Sequence, residues 1–492
     1  MKFWLLSLGL WCFVCLAGCE PAPPMLPTKP PRQSPTAEPK TEPKPEPKPE
    51  PKPEPKPEPK TEPKTEATAQ PPATEAKSEP QPAPKAEPKP AAAAQPSADP
   101  EKVAAALKKI KELGGKADLD ADKKVILVNL NPQAVTDADL ELLTALADVL
   151  RLDLYGAEIT DAGVPALAKF PKLKELTLEN TDLSDDGVKQ LAKLVNLQAL
   201  NLRRTTRMTD EAMTYVAQLT KLQNLKLLYN HITDAGVEKL KGMQQLRALD
   251  LRGSTIGDAG MQSLSALANL KDLKIRSPEV TDAGLKALAG LKKLTILALE
   301  ESVITDAGLA ALKDKDMEDL DLLRCTNLTD AGLANLAGMT RLKRLDLRGI
   351  PISGAGLAAL VKLSGLKRLE LSETELNDAA LENLKAFPQL EMLDLWHTHV
   401  TDAGLRNLAG LGKLATLNLE DDGITDAGVA ELAGLASLET LSLKLDPVSN
   451  ASVEHLAKLK KLKSLDLENT KIDEQGLKRL RAALPGCKII AG

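Results

Sequence analysis

What most constrains this chain is a short motif that returns at a fixed interval. It stands at Ile159-Thr160-Asp161-Ala162-Gly163, Ile232-Thr233-Asp234-Ala235-Gly236, Ile304-Thr305-Asp306-Ala307-Gly308 and Ile424-Thr425-Asp426-Ala427-Gly428. Positions equivalent to the Thr fall at 136, 160, 184, 209, 233, 257, 281, 305, 329, 353, 377, 401, 425, 449 and 473, fifteen copies in which every step is 24 residues except one of 25. A constant period in the twenties implies a solenoid: one unit cannot bury its apolar face alone and must stack on its neighbours.

Each unit has a physical reading. Eight and six residues before the Thr-equivalent stand paired apolar residues such as Leu176 and Leu178, or Leu393 and Leu395, with a mostly polar residue between them. In the two units with a longer turn the pair stands one residue earlier. This period of two predicts a short strand with one face in the core. The residue just before the Thr-equivalent is always apolar and points inward. The Thr-equivalent is Thr nine times, Ser three times, then Gly257, Asn377 and Asp473, all of them helix N-cap residues. Asp or Glu follows in thirteen of the fifteen, where a negative charge meets the positive end of a helix. The helix then runs through stretches such as Leu285 to Ala289.

These features resemble the leucine-rich repeat family, in its helix-backed branch of ribonuclease-inhibitor-like and cysteine-containing repeats. The likeness covers about Val125 to Ile490. Thr205 to Asp210 and Cys325 to Asp330 carry the longer turn of the cysteine-containing type, and most other units place a small polar residue in the cysteine slot, as at Thr181, Asn230, Ser254, Ser302 and Thr398. Ala157, Pro278 and Ile350 are expected to interrupt that ladder. The resemblance implies an α/β fold: a curved solenoid, or horseshoe, with its parallel sheet on the concave face and helices on the convex face. Strands stack at about 4.8 Å and helices at about 10 Å, which accounts for the curvature. Residues 99–135 are expected to form an N-terminal cap helix and first strand, 136–472 the repeats and 473–492 a C-terminal cap.

The first hundred residues are of another kind. Lys2 and the apolar run Phe3 to Ala17 read as a secretory signal, shorter than the roughly twenty residues a membrane-spanning helix needs. Leu16-Ala17-Gly18-Cys19 resembles the lipobox of bacterial lipoproteins, which implies cleavage after residue 18, lipidation of Cys19 and an extracytoplasmic, membrane-anchored protein. An ordinary signal peptide with a coincidental Cys is the alternative. Of 35 prolines, 27 lie between Pro21 and Pro100, and Lys-Pro-Glu-Pro repeats between Pro39 and Lys60. Such a stretch cannot pack, so 19–98 is expected to be a disordered, polyproline-like spacer of about 3.1 Å per residue. It is also compatible with a Pro-rich ligand or a wall-binding segment.

The chain's formal charge of −5 gives no electrostatic reason to expect a nucleic acid, whose phosphate backbone needs a basic surface, so none is expected as partner. No Gly-x-Ser-x-Gly, His-Glu-x-x-His or phosphate loop is present, and N-capping explains the repeated Thr-Asp pairs. No enzyme activity and no cofactor are expected. What varies is the inner wall. Between the paired apolar positions stand four consecutive acids, Asp321, Asp346, Glu370 and Asp394, which repel unless countered; two residues further on come Tyr155, Arg203, Arg252, Arg276, Arg348 and Trp396, with Tyr229 at a strand exit. Arg348 is expected to neutralise Asp346 and Glu370, and Trp396 to anchor a protein or peptide partner. Ordinary solvated wall residues are the alternative. His397, His399, Glu373, Glu375 and Asp421 fall one period apart at strand exits; they make a weak metal site conceivable, although exposed turn residues suffice. Cys325 and Cys487 are too far apart to pair and are expected to be free and packed. The functional expectation is a non-enzymatic, lipid-anchored binding module, with a structural cell-envelope component or a weakly metal-dependent receptor as alternatives.

Overall fold

The computed structural model describes residues 99–492; the signal segment 1–18, Cys19 and the spacer 19–98 lie outside the described residues. Helix α1 (Pro100–Glu112) starts on Asp99, whose carboxylate accepts from the Glu101 amide at 3.0 Å. Its buried face, Ala106 and Ile110, covers the apolar end of the first coil. Between that helix and the expected first strand the sequence reading missed a strand. Strand β1 (Lys116–Leu119) pairs antiparallel with β2 (Val125–Ala134), so a hairpin joins α1 in closing this end.

From β2 onward the strands follow in chain order and pair in parallel, giving one open sheet of 17 strands. The register is that of the repeat: Leu345, Leu369, Leu393, Leu417, Leu441 and Leu465 lie opposite one another from coil to coil. Such leucines form one continuous core with the second leucine of each pair and the residue before each cap, and Leu176, Leu178, Leu183, Leu251 and Leu347 are all buried in it. The far end closes as expected, with a helix at Glu474–Ala483 and a strand at Lys488–Ile490.

The cap positions behave as the sequence predicts, and their acids do more. Thr305 Oγ1 accepts from the Ala307 amide at 3.2 Å, an N-cap bond that recurs in most units. The acid of the preceding coil, Asp282, reaches across and accepts from both the Thr305 amide and hydroxyl at 2.7 Å each. The Asp is thus a staple between coils as well as a favourable charge at a helix N-terminus. The same carboxylate explains the Gly three residues after the cap. A Cβ on Gly308 would collide with Asp282 Oδ1. The one acidic position replaced by Gly is Gly354, and the following coil there carries Ala380 in place of Gly.

The backs of the coils are less helical than expected. The stretch around Leu285 is α-helical over Asp282–Ala287 and continues as a 3₁₀ turn, Leu288–Gly290. Three backs, Gly332–Leu336, Ala355–Leu360 and Ala380–Ala386, are 3₁₀ throughout. A 3₁₀ turn rises about 2.0 Å per residue against about 1.5 Å for α, so these backs are drawn out further than an α-helix of the same length.

The turn ladder departs from expectation at one of its three predicted gaps. Pro278 is exposed, and the neighbouring Ser277 is buried in its stead, accepting from the Glu279 amide at 3.2 Å. Ile350 fills its slot as a buried apolar residue, whereas Ala157 is exposed. Cys325 Sγ donates to Leu299 O at 2.8 Å, and burial pushes its thiol up to about 12. Cys325 is free and buried; Cys487 is free but only half-buried.

Candidate functional site on the inner wall

Side chains of one strand alternate between core and wall. Each strand therefore presents the residue between its two core leucines and the residues two places to either side. Sequence reading took two of these three columns and missed the first, which holds Asp272, Asp319 and Arg344. The period of two carried one step toward the strand start would have found it.

Arg344 is the residue that answers the acid stack. Its guanidinium lies 3.0 Å from Asp346, 3.2 Å from Glu370 and 3.5 Å from both Asp319 and Asp321. Arg348, expected in that role, gives Asp346 only its backbone amide, at 3.0 Å. Its side chain turns to Glu373 at 2.5 Å, and its guanidinium carbon stands 4.9 Å from the Trp396 ring centroid. Glu373 also takes Arg324, at 3.1 Å. Two arginines on one carboxylate hold Glu373 well below the ordinary range, the hydrogen bond from Arg348 contributing most.

The wall is less solvated than its composition suggests. Asp153, Asp250, Glu300, Asp321 and Asp346 are all buried. Burial, with Asp321 and Glu370 adding to it, pushes Asp346 up to about 8. Burial also raises Asp394, which accepts from the Trp396 amide at 3.0 Å and from Asn418 Nδ2 at 3.1 Å.

The remaining predicted residues fall into separate groups. Arg252 is tied to Asp250 at 2.9 Å and Glu300 at 3.0 Å, Arg276 to Glu301 at 2.5 Å and Arg203 to Glu179 at 2.7 Å. Arg203 and Arg204 flank the exposed Tyr229 ring, at 5.7 and 5.5 Å. Tyr155 is half-buried on its strand opposite Glu179, ten repeats from Trp396. Two shallow hollows lie on the sheet. One of about 270 Å³ adjoins Asp394, Asn418, Glu420 and Ser442; another of about 260 Å³ lies over Asn201, Lys226, Asp272 and Lys274, where the lysines had not been singled out.

The conceivable metal ligands are drawn apart. His397 Nδ1 lies 2.8 Å from Asp421 and His399 Nδ1 3.2 Å from Glu375, while Glu373 is held by its arginines. Among the described residues no three His, Cys, Asp or Glu side chains form a group able to hold a metal ion. His397, Asp421, Glu373 and Tyr229 share a backbone state instead: each has φ between 56° and 60°, the left-handed turn that ends most strands. A side chain held there costs of order 1–3 kcal/mol, and that geometry sets these four along the strand-exit rim.

Residues 143–317 match a family model described as a leucine-rich repeat region, and the same period continues beyond them to residue 473. No curated protein matches the chain. Among solved structures the chain is similar to an internalin of Listeria monocytogenes, at 21% identity over 79% of this chain and 94% of that one, with a TM-score of 0.45. It is also similar to a leucine-rich repeat protein of Leptospira interrogans (18% identity, 73% of this chain and 94% of that one, TM-score 0.45). A third is a chain of the Rad7 and Elc1 complex in yeast (21% identity, 72% and 88%, TM-score 0.48).

Proposed function

We propose that this protein is a non-enzymatic, extracytoplasmic interaction module, anchored through a lipid on Cys19, whose leucine-rich repeats bind a protein or peptide on the inner wall around Trp396. The observation that carries this reading is the platform made by Trp396 and Arg348. A half-buried indole lies within cation–π distance of a guanidinium that Glu373 also holds, two residues along the strand from Asp394 and its hollow. Aromatic and Arg side chains set in a partly desolvated hollow are the groups that dominate measured binding energies at protein interfaces. Indole paired with guanidinium is also pre-ordered, so a partner loses less side-chain entropy on docking.

Crosslinking of the full chain in its native envelope, followed by mass spectrometry, tests the reading. A partner crosslinked near Trp396 and lost from Trp396→Ala supports it. Crosslinks scattered over the helical backs, unchanged in that variant, overturn it. Membrane fractionation tests the anchor separately: Cys19→Ala is expected to move the protein to the soluble extracytoplasmic fraction.

A structural envelope role is the second reading, favoured by the internal pairing of Arg203, Arg252 and Arg276, which leaves less charge for a ligand. It requires that Trp396→Ala leave the crosslinks intact while loss of the whole protein weakens the envelope.

A further inference from the structure

Along the rim where each coil runs into its strand, cations meet acids of a neighbouring coil. Lys172 pairs with Asp148, Lys343 with Glu318 at 2.9 Å, Lys367 with Glu391 at 2.6 Å and Lys463 with Glu439 at 2.7 Å. Single rim cations elsewhere also lack an acid, as at Lys174, but one stretch gathers several on adjacent coils. Arg247 and Lys271 occupy the same position of adjacent coils, the Lys271 amide donating to Arg247 O at 2.8 Å, and the next coil brings Lys292 and Lys293. All four side chains are exposed, and among the described residues none forms an ion pair. The acids of the following coil are taken by other cations, although Glu318 also reaches the edge of this stretch. Asp316 binds Arg341 at 3.0 Å, and Glu318 is shared between Arg341 and Lys343.

Two further features add to this charge. Lys293 Nζ donates to Asn269 Oδ1, a neutral partner that leaves the ammonium uncompensated, at 2.5 Å. Beneath the Lys292–Lys293 loop lies Lys315, only 9% exposed, which donates to Ala289 O at 3.2 Å and Leu291 O at 2.8 Å. No acid is among its partners, so its ammonium adds to the same positive field. Arg247, Lys271, Lys293 and Arg341 border a surface depression of about 520 Å³, together with the side chains of Gln245, Asn269 and Thr295 and one acid, Glu318, leaving cations in excess.

Like charges on adjacent strands destabilise a sheet, and coils about 4.8 Å apart lie well inside a Debye length of about 8 Å. Four unpaired cations gathered on three adjacent coils therefore cost stability at this place. Clustered positive charge of this kind attracts multivalent anions, and Lys and Arg with amide donors are the groups that hold phosphate oxygens. We infer that the depression bounded by Arg247, Lys271 and Lys293 is a binding site for phosphate-bearing polyanions. The surface is open and extends over three coils, so it suits an extended or multiply charged ligand rather than a single enclosed ion. This site lies on the strand-start rim and does not depend on the partner reading for Trp396.

The phosphates could be those of a soluble polyphosphate or of an anionic lipid surface, and two arms separate these sources. The full chain carrying Cys19→Ala, so that acylation does not contribute, is titrated by calorimetry with inorganic triphosphate and sedimented with vesicles containing phosphatidylglycerol. Lys271→Gln with Lys293→Gln is expected to weaken binding about ten-fold or more in the responsive arm, through loss of charge-assisted contacts, and to leave the melting temperature unchanged or higher. Lys367→Gln with Lys463→Gln, which removes two rim lysines already paired with acids, is expected to leave binding unchanged. A response to triphosphate identifies the soluble source; a response to vesicles alone identifies the lipid headgroup. Absence of binding in both arms, or equal weakening in the two double variants, overturns the inference.

Discussion

The Arg348 guanidinium carbon lies 4.9 Å from the centre of the Trp396 ring, a contact that joins side chains two coils apart over the coil of Glu373. Glu373 orients the guanidinium from one side at 2.5 Å, and the ring accepts it from the other. The cation is therefore held in one place where a long flexible side chain would otherwise sample several rotamers.

Replacing Arg348 by Lys keeps the charge but removes the planar group and the fixed fork of donors. The expected result is partner binding weakened about ten-fold, with a change in stability of about 1 kcal/mol or less, since an exposed cation–π contact contributes only about 0.5–1 kcal/mol. Binding measured on the crosslinked partner and denaturant unfolding of the variant check the two halves.

Arg344 presents a different case, because four carboxylates converge on it. Arg344→Met should destabilise the protein by about 2–3 kcal/mol at neutral pH, below the roughly 3–5 kcal/mol for breaking a fully buried pair, since the Arg344 side chain is 30% exposed. The loss should grow at about pH 9, where Asp346 ionises and its repulsion with Asp321 and Glu370 goes unanswered without Arg344. Equal destabilisation at both pH values would exclude electrostatics as the cause.

Asp422 and Asp446 occupy the turn slot that Thr, Asn or Cys fills in other coils. Each uses one oxygen, Asp422 for Thr398 and Asp446 for the amides of Asp422 and Ile424, and leaves the other buried without a partner. Burial pushes them up to about 8 and about 7. The native state thus keeps protons that the unfolded chain releases near the ordinary carboxyl value, so their contribution is complete below about pH 4 and lost as pH rises to about 8. Asp330 and Asp426 work in the opposite direction. Hydrogen bonds there outweigh burial and lower both groups, so their contribution is lost as pH falls below about 4. Thermal melting should peak near pH 4–5 and decline toward about pH 8, and Asp422→Asn with Asp446→Asn should flatten that decline. Asn230 shows how an amide serves the slot, donating to Leu202 O at 2.8 Å.

Asp282 and Gly308 supply a test of the staple between coils. Gly308→Ala should cost about 1–3 kcal/mol through overpacking against the Asp282 carboxylate. Asp282→Ala should cost about 1–3 kcal/mol through its lost bonds to Thr305. Because the first change is harmful only while the carboxylate is present, the double variant should be clearly more stable than the sum of the two. Strict additivity in a double-mutant cycle would show that the two residues do not share the constraint.

Much of this protein is legible in its sequence. The period of 24, the leucine pairs and the cap residues each act within a single coil, so local alternation and capping chemistry are enough to place the strands, the turns and the solenoid. The hairpin strand Lys116–Leu119 escaped because it lies outside the repeat and is held by pairing with β2 rather than by a pattern of its own. The 3₁₀ backs escaped because cap chemistry marks where a helical back starts and says nothing of its pitch.

Which charges meet was not decided within a coil. That Arg344 and not Arg348 answers the acids, that Arg348 turns to Trp396, and that Arg247, Lys271 and Lys293 form no ion pair all depend on rotamers chosen between neighbouring coils. A periodic sequence places many candidates within reach of one another at the same height. Only the packed sheet, by burying some of them and fixing the direction of each side chain, selects among partners that the repeat alone makes equivalent.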